Sequence, residues 1–546
     1  MKKLTLEYGL RFGYYPSVVD LNNHGLLFDP SKYDPTQGLL IGGDPTRPNG
    51  VLTTARNQIP RGVVDNPAPH FLPRIGFAWD VFGNGSTVVR GGGGLFYYRV
   101  STVFQAQDLQ QPPNSYNVNF FGFNYTGLDG GKGLDYNDIG QLDPYTVLGA
   151  IPIQSQNPKS VFTPRVTTMS FSVAHRLPKS TVFEVAYVGS IGRHLPERHS
   201  IDFIKPGALL SGTVGNADLS VPVQRLAVGQ NGGLLVPFTP FPAYQDVQYA
   251  DFGGTSAYHS LQTTLKRQTG HLTYLVAYTF SKALGLQSVN ESGDLVDPVD
   301  ARHRSWGVLP YDRTHVLNVS YSYQLPDGAR GSFRNRLTAG ALNGWQVSGI
   351  TSYSSGMPYR LNFGGELSQA YTAIGFFGSN AYSTSVNSSS AIAPVFTSNP
   401  SRGGAAVGDK ILDINSLAIP AFGQSGPYVS PFYLRSPNRS NTDFSVFKNF
   451  PIGESARVQF RAGFFNMFNQ AYPIVSGAGG ADFNTYLNTD CNVRVDNVPN
   501  GTGTTSNGVC DPTQGYHFTP DTVANFGKIQ NKHGHRIIEF ALKLMF

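Results

Sequence analysis

The sequence predicts an all-β protein, an antiparallel meander of about a dozen strands forming a transmembrane β-barrel, with short turns at one end and long loops at the other. Three observations predict it. Segments of ~9–13 residues alternate apolar and polar side chains with period 2, as a strand does when its two faces meet different surroundings. The connections between these segments alternate between short and long. Charged residues make up only 14% of the 546, against about 25% in ordinary soluble domains, while aromatic residues reach 12%. No run approaches the ~18 apolar residues of a membrane helix. Composition alone leaves a large secreted β-protein open. The loop asymmetry decides, because a soluble domain gives no reason for it and structureless loops above ~20 residues argue against compact packing.

The first strand is Leu4–Tyr14, with Leu4, Leu6, Tyr8, Leu10, Phe12 and Tyr14 opposite Thr5, Glu7, Gly9, Arg11 and Gly13. A long Pro-, Gly- and Asn-rich stretch leads to Arg74–Asp80, a tight turn with Asn84-Gly85, and Thr87–Tyr98. Asn-Gly between two apolar runs is a strong hairpin signal. A second long stretch precedes Val166–Leu177, the turn at Pro178-Lys179, and Thr181–Val188, where Glu184 opposes Phe183, Val185 and Tyr187. The rhythm repeats with Ala257–Arg267, a turn at Gly270, and His271–Phe280. Arg313–Leu325 and Leu342–Tyr353 follow, joined by a medium connection with Asp327-Gly328. Thr442–Phe450 and Ser455–Phe468 flank a tight turn at Pro451 to Glu454. Last comes Arg536–Phe546, where Ile538, Phe540, Leu542, Leu544 and Phe546 oppose Ile537, Glu539, Ala541, Lys543 and Met545.

Charges fall on one side of the clearest strands. An arginine such as Arg457 or Arg461 at the bilayer midplane would cost about 2–4 kcal/mol, so Glu7, Arg11, Glu184, Arg457, Arg461, Glu539 and Lys543 are expected to face a wet lumen. Lipid cannot satisfy a free strand edge, which calls for a closed or nearly closed sheet with strands in sequence order. An even strand number puts both termini on the short-turn side, which is then periplasmic. Outer-membrane lipid or lipopolysaccharide is the expected surrounding.

The net charge is +6, spread along the chain. No basic run marks a nucleic-acid footprint, so no nucleic-acid partner is expected. Cys491 and Cys510 lie in a Gly/Thr/Asn-rich loop and are candidates for a disulfide, with two unpaired thiols as the alternative. Met1-Lys2-Lys3 resembles the start of a signal peptide, but no apolar stretch follows it.

Several segments together resemble the C-terminal barrel of TonB-dependent outer-membrane transporters of the Oar-like group. They are LTLEYGLRFGYYP, PRIGFAWDVFGNGSTVVRGGGGLFYYR, STVFEVAYVGSIGRHL, SAYHSLQTTLKRQTGHLTYLVAYTFSKAL, YDRTHVLNVSYSYQLP, NGWQVSGITSYSSGMPY, NTDFSVFKNFPIGESARVQFRAGFFNMFNQAYP, and FGKIQ with the terminal IIEFALKLMF. They run in the family's order along nearly the whole chain. The resemblance implies a 22-stranded barrel around a plug, with import driven by TonB pulling on that plug. It also implies that the terminal aromatic, here Phe546, belongs to a signal read by the barrel-assembly machinery. Residues 1–546 are then a single C-terminal barrel region with no separate soluble domain, a fragment lacking the signal peptide, the plug and the earlier strands; a genuinely short protein is the alternative. TonB would act only through the missing plug.

The sequence offers little chemistry. There is no GxSxG elbow, Walker loop, HExxH or CxxC. Gly91 to Gly94 lie within a strand pattern, which reads as close backbone approach or bending rather than a phosphate loop. His194, Glu197 and His199 fit no ligand spacing, and Pro196 breaks a helix, so they read as a loop or strand-end surface. His533 and His535 read the same way. Asp129, Asp135, Asp138 and Asp143, and likewise Asp294, Asp297 and Asp300, offer oxygens to calcium or form a solvated loop. The strand aromatics read as lipid-interface girdles. Phe120, Phe121, Phe123, Tyr125, Phe376 and Phe377 remain open as stacking platforms for a glycan. No enzyme, cofactor or metal is expected. The function expected is barrel wall and ligand capture for an importer of unknown extracellular ligand. An Oar-like structural or adhesion protein and a passive porin are the alternatives.

Overall fold

The structure is a computed structural model. It describes residues 3–44, 46–100, 113–114, 151–202, 213–214, 217–218, 240–286, 306–329, 336–359, 361–364, 394–404, 406–420, 426, 434–452, 456–474, 482–500, 503–510 and 515–546. Twelve strands, each antiparallel to the next, run in strict sequence order through a 14-stranded sheet. They are β1 (Leu4–Gly13), β2 (His70–Asp80), β3 (Thr87–Tyr97), β4 (Arg165–Leu177), β5 (Thr181–Ser200) and β6 (Tyr244–Arg267). The others are β7 (Leu272–Leu286), β8 (His315–Gln324), β9 (Trp345–Ser354), β10 (Arg439–Ile452), β11 (Ala456–Phe465) and β12 (Ile537–Met545). Each answers to one expected strand. Among the described residues no helix is long and apolar enough to cross a membrane.

The register carries the alternation across the sheet. One row of directly paired residues reads Leu6, Phe77, Gly91, Phe171, Tyr187, Leu261, Phe280. The row beside it, on the other face, reads Thr5, Ala78, Arg90, Ser172, Ala186, Gln262, Thr279. Further along, Tyr274, Tyr321, Gly349, Phe444, Phe464 and Ile538 continue the apolar face. Glycines in these rows are roofed by their partners' rings. A Cβ on Gly91 would lie 2.4 Å from Phe77, and one on Gly349 would lie 2.7 Å from the Tyr321 hydroxyl. A ring laid over a strand glycine restores the contact its missing side chain cannot make.

The short turns have local causes. The Asp80 carboxylate accepts the Gly83 and Gly85 amides at 3.0 and 2.8 Å, and Asn84 accepts Ser86 at 2.9 Å. Gly83 and Gly85 hold φ of +77° and +68°, which glycine adopts without strain. The medium connection between β8 and β9 contains a helix, Arg336–Leu342, so β9 starts at Trp345 rather than at Leu342.

Three expectations need correction. No hydrogen-bonded pair joins β1 to β12, so the sheet is open, and each edge carries a row of unpaired backbone groups. Strands β5 and β6 run well past their expected limits at Val188 and Ala257. Glycines 189, 192, 253 and 254 and Pro196 interrupt the alternation there, and the register shifts between Asp251 and Ser256, yet the ladder resumes beyond the irregularity. Finally, the long connections are not structureless. Leu26–Phe28 pairs with Val51–Thr53, and Ile151–Gln156 runs parallel to the start of β6. Asn362–Gly364, Tyr486–Cys491 and Tyr516–Phe518 form a second small sheet.

Candidate functional site

All seven charged residues expected on one face do share a face. Glu7 connects through Gly76, Gly92, Ser170 and Val188 to the side of β5 that carries Glu184, and Arg11 is on the same side of β1. From Glu184 the row passes through Thr264, Ala277, Asn318 and Ser352 to Asn441 on β10. Ser445, four residues along the same side of β10, pairs with Gly463, and Gly463 pairs with Glu539. Arg457 and Arg461 share their side with Gly463, as Lys543 does with Glu539. Polar side chains on this face bond to one another. Gln346 donates to Ser322 at 2.8 Å, Gln459 donates to Asn449 at 2.9 Å, and Arg461 donates to Gln459 at 2.5 Å and lies over the Phe447 ring.

Lys448 is one of several cations on the apolar face near strand ends, as are Arg267 and Lys282. It sits near the short-turn end, over the Trp345 and Phe450 rings, and its Nζ donates to the Asn343 carbonyl. A long cationic side chain near a strand end can reach the interface this way. At the other end, Tyr187 bonds His259 Nδ1 at 2.7 Å and Tyr278 bonds His315 Nδ1 at 2.8 Å, with ring centroids 6.1 Å apart in both pairs.

Among the described residues the largest fully buried side chains, Phe28, Tyr244, Ile153, Phe363, Phe483 and Phe526, lie in two caps on the long-loop side, Tyr244 reaching the first cap from the outer end of β6. In the first cap Phe28 packs against Phe241, Tyr244 and Tyr33 at 4.9–6.3 Å. Tyr249 donates to the Phe28 carbonyl at 2.8 Å, and Phe28 N donates to Ser155 Oγ at 2.8 Å. Gly50, with φ +78°, lies under the Phe28 ring, where a Cβ would come within 2.7 Å. The second cap buries Phe363, Phe483, Leu487, Phe526 and Ile529. Its helix Pro520–Asn525 is capped by Thr519, which accepts Thr522 N at 3.2 Å.

At the base of the first cap the extended ends of β5 and β6 bring Glu197, His199 and Asp251 together, each offering a ligand atom within 4.8 Å of the others. Glu197 is directly opposite Asp251 in the ladder. Of the loop or strand-end surface expected for His194, Glu197 and His199, the structure has the strand end, since they stand on the last residues of β5, but not the surface at Glu197, which is only 9% exposed. His194 turns elsewhere and stacks on Phe162 at 4.5 Å. Burial, with the Asp251 charge adding to it, pushes the Glu197 carboxyl up to about 7. Burial holds His199 below the usual imidazole value, with Asp251 pulling the other way. The signal in the sequence was the alternation of Val247 and Tyr249 with Gln248, which marks a strand outside the expected one.

Other candidates divide. Gly91 to Gly94 lie inside β3, as their strand pattern required. His533 bonds Asp482 at 3.0 Å. Asp129, Asp135, Asp138, Asp143, Asp294, Asp297, Asp300, Phe120, Phe121, Phe123, Tyr125, Phe376 and Phe377 lie outside the described residues, as do the side chains of Cys491 and Cys510. Phe546 stands fully exposed beyond β12.

No curated protein matches the chain in sequence. Among solved structures it is similar to the outer membrane transporter YddB from Escherichia coli, with TM-score 0.38 and 7% identity over 76% of this chain and 39% of that one. It is also similar to the FrpB iron transporter from Neisseria meningitidis, with TM-score 0.32 and 9% identity over 75% of this chain and 36% of that one. For the copper transporter OprC the TM-score is 0.32 and the identity 9%, over 88% and 43% of the two chains. The chain thus spans less than half the length of each of these proteins. The family model of the outer membrane beta barrel domain matches residues 1–489. With that match covering most of a twelve-strand meander whose rows sort into an apolar and a polar face, the chain belongs to the outer membrane beta barrel domain family and is a protein of the bacterial outer membrane.

Proposed function

We propose that residues 1–546 form the C-terminal wall of a TonB-dependent importer's barrel and that the two caps capture its extracellular ligand. In this reading the polar face with Glu7, Arg11, Glu184, Arg457, Arg461, Glu539 and Lys543 lines the lumen. The free edges of β1 and β12 pair with further strands of a wider wall, and TonB acts through a plug outside this sequence. The observation that carries the reading is the pair of caps with their own buried cores on the long-loop side, next to a wall with one polar face. A passive pore needs no folded structure there. The resemblance of its ordered segments to the Oar-like group is what supports TonB dependence in this reading. The wall and caps carry no proposed catalytic role.

The test is uptake by cells carrying the full-length protein, with and without a functional TonB, against a panel of bulky nutrients that includes glycans. Energy-dependent accumulation of one ligand, lost when the first cap is disrupted by Phe28→Ala, is the expected result. Passive, TonB-independent entry would make the protein a pore. Cell-surface adhesion without any uptake would make it the structural protein of the alternative reading.

A further inference from the structure

Glu197, His199 and Asp251 form a cluster that the transport reading does not use. It lies outside the membrane span. Glu197 is 16 positions beyond Thr181, where β5 leaves the short turn. At about 3.3 Å per residue and a tilt of about 40°, it stands roughly 40 Å from that end, well past an apolar band of about 25 Å.

Two strands here set one carboxylate directly against another, since Asp251 pairs with Glu197. Like charges placed opposite each other in a ladder repel. No lysine or arginine forms an ion pair with either among the described residues. Glu197 Oε2 and His199 Nδ1 are both buried without a hydrogen-bond partner. Buried polar atoms are rarely left unpaired, and such an orphan calls for an explanation, an ion among them.

The surroundings fix two of the three groups. Asp251 accepts Asn157 Nδ2 at 2.8 Å and the Phe252 amide at 2.6 Å. Partners of this kind orient a ligating carboxylate. Glu197 occupies room left by Gly253, where a Cβ would lie 2.5 Å from its Oε1. The donors lie within 4.8 Å of one another, and zinc bonds of about 2.0–2.2 Å would draw them to within about 4.4 Å.

We propose that Glu197, His199 and Asp251 bind a divalent first-row transition ion that clamps β5 to β6 beneath the first cap. An imidazole beside two carboxylates suits zinc and its neighbours, whereas calcium and magnesium take oxygen donors alone. The ion sits at the break in the ladder between Asp251 and Ser256 and ties the two strands together where their backbone pairing is interrupted.

The test uses the whole chain, without a histidine tag, folded in detergent micelles and stripped with EDTA. Calorimetric titration with zinc sulphate should show one saturable site, and calcium chloride only heat of dilution. Glu197→Gln, His199→Ala and Asp251→Asn should each weaken zinc at least tenfold, while His194→Ala, whose ring stacks on Phe162, should leave the affinity unchanged. In EDTA, Glu197→Gln should unfold at the same temperature as wild type or higher, and zinc should raise the wild-type temperature only. Absence of saturable zinc binding, or unchanged affinity in the three ligand variants, overturns the proposal. Each variant's fold is checked by far-ultraviolet circular dichroism. If one does not fold, zinc X-ray absorption on the wild type decides: one imidazole among oxygen ligands supports the site, and any other nitrogen count or a sulfur ligand refutes it.

Discussion

Phe540 and Phe28 are the same residue in opposite situations. Phe540, on β12, is 69% exposed, whereas Phe28, in the first cap, is 0% exposed. Among the described residues the wall has no protein core behind its apolar face; its rings are to be covered by lipid. The caps bury their rings against one another as a water-soluble domain does. One chain therefore uses two solvents, and the same substitution should have different consequences in each.

Phe28→Ala should have the largest effect. It removes a ring from a close-packed core and leaves a cavity, which costs about 3–5 kcal/mol. Hydrogen exchange should show the loss in residues 26–28, 51–53 and 151–156 and leave mid-wall amides unchanged. Exchange that rises throughout β1 to β12 would mean that cap and wall are one cooperative unit. Phe540→Ala should cost only the transfer of the ring, roughly 1.5–3 kcal/mol, because fluid lipid refills the space. Equal losses at the two positions, measured by denaturant unfolding in vesicles for Phe540, would erase the contrast.

Asp312 offers a second comparison, between a buried charge and the wall. Its side chain is 0% exposed, is paired with Arg435, and accepts the Ala283 amide. Arg435 also donates to the Gly356 carbonyl at 3.1 Å, so the pair joins the outer ends of β7, β9 and β10. Asp312→Ala would leave the guanidinium half-buried and unpaired. A loss of about 3 kcal/mol is expected, at the low end for broken buried pairs because Arg435 keeps some water contact. Restoration of stability by the further change Arg435→Met would sharpen the point, and an Asp312→Ala variant as stable as wild type would remove it.

Within the wall, Phe171→Arg should cost about 2–4 kcal/mol in a bilayer and Ser172→Arg, one residue along, much less. A smaller effect, about 1–3 kcal/mol from overpacking, is expected for Gly349→Ala, since the new methyl meets the Tyr321 ring. Tyr321→Leu should relieve it; a penalty that persists would place the strain elsewhere.

The wall was legible because each strand carries its own signal. Leu4 to Tyr14 and Ile538 to Phe546 alternate without help from the rest of the chain. The caps were not legible, because their cores join pieces far apart in sequence. Phe28 meets Tyr244 only after the strands between them have paired, and Glu197 meets Asp251 only once β5 and β6 pair beyond a long loop. Glycines 253 and 254 hid the outer part of β6 by breaking its period, although Val247 and Tyr249 keep it. The charged face was readable from parity alone, since cross-strand pairing preserves the side on which each residue starts. Closure was not, because nothing local in β1 or β12 names its neighbour.

The two faces of the wall meet different solvents. This difference is tested most directly by single spin labels at Phe171, Tyr187 and Leu261 and at Ser172, Ala186 and Gln262, with both native cysteines replaced, in phospholipid vesicles. Collision with oxygen should dominate at the first three positions, and collision with a water-soluble nickel complex at the second three. Equal accessibility at both sets, or the reverse assignment, would contradict the account.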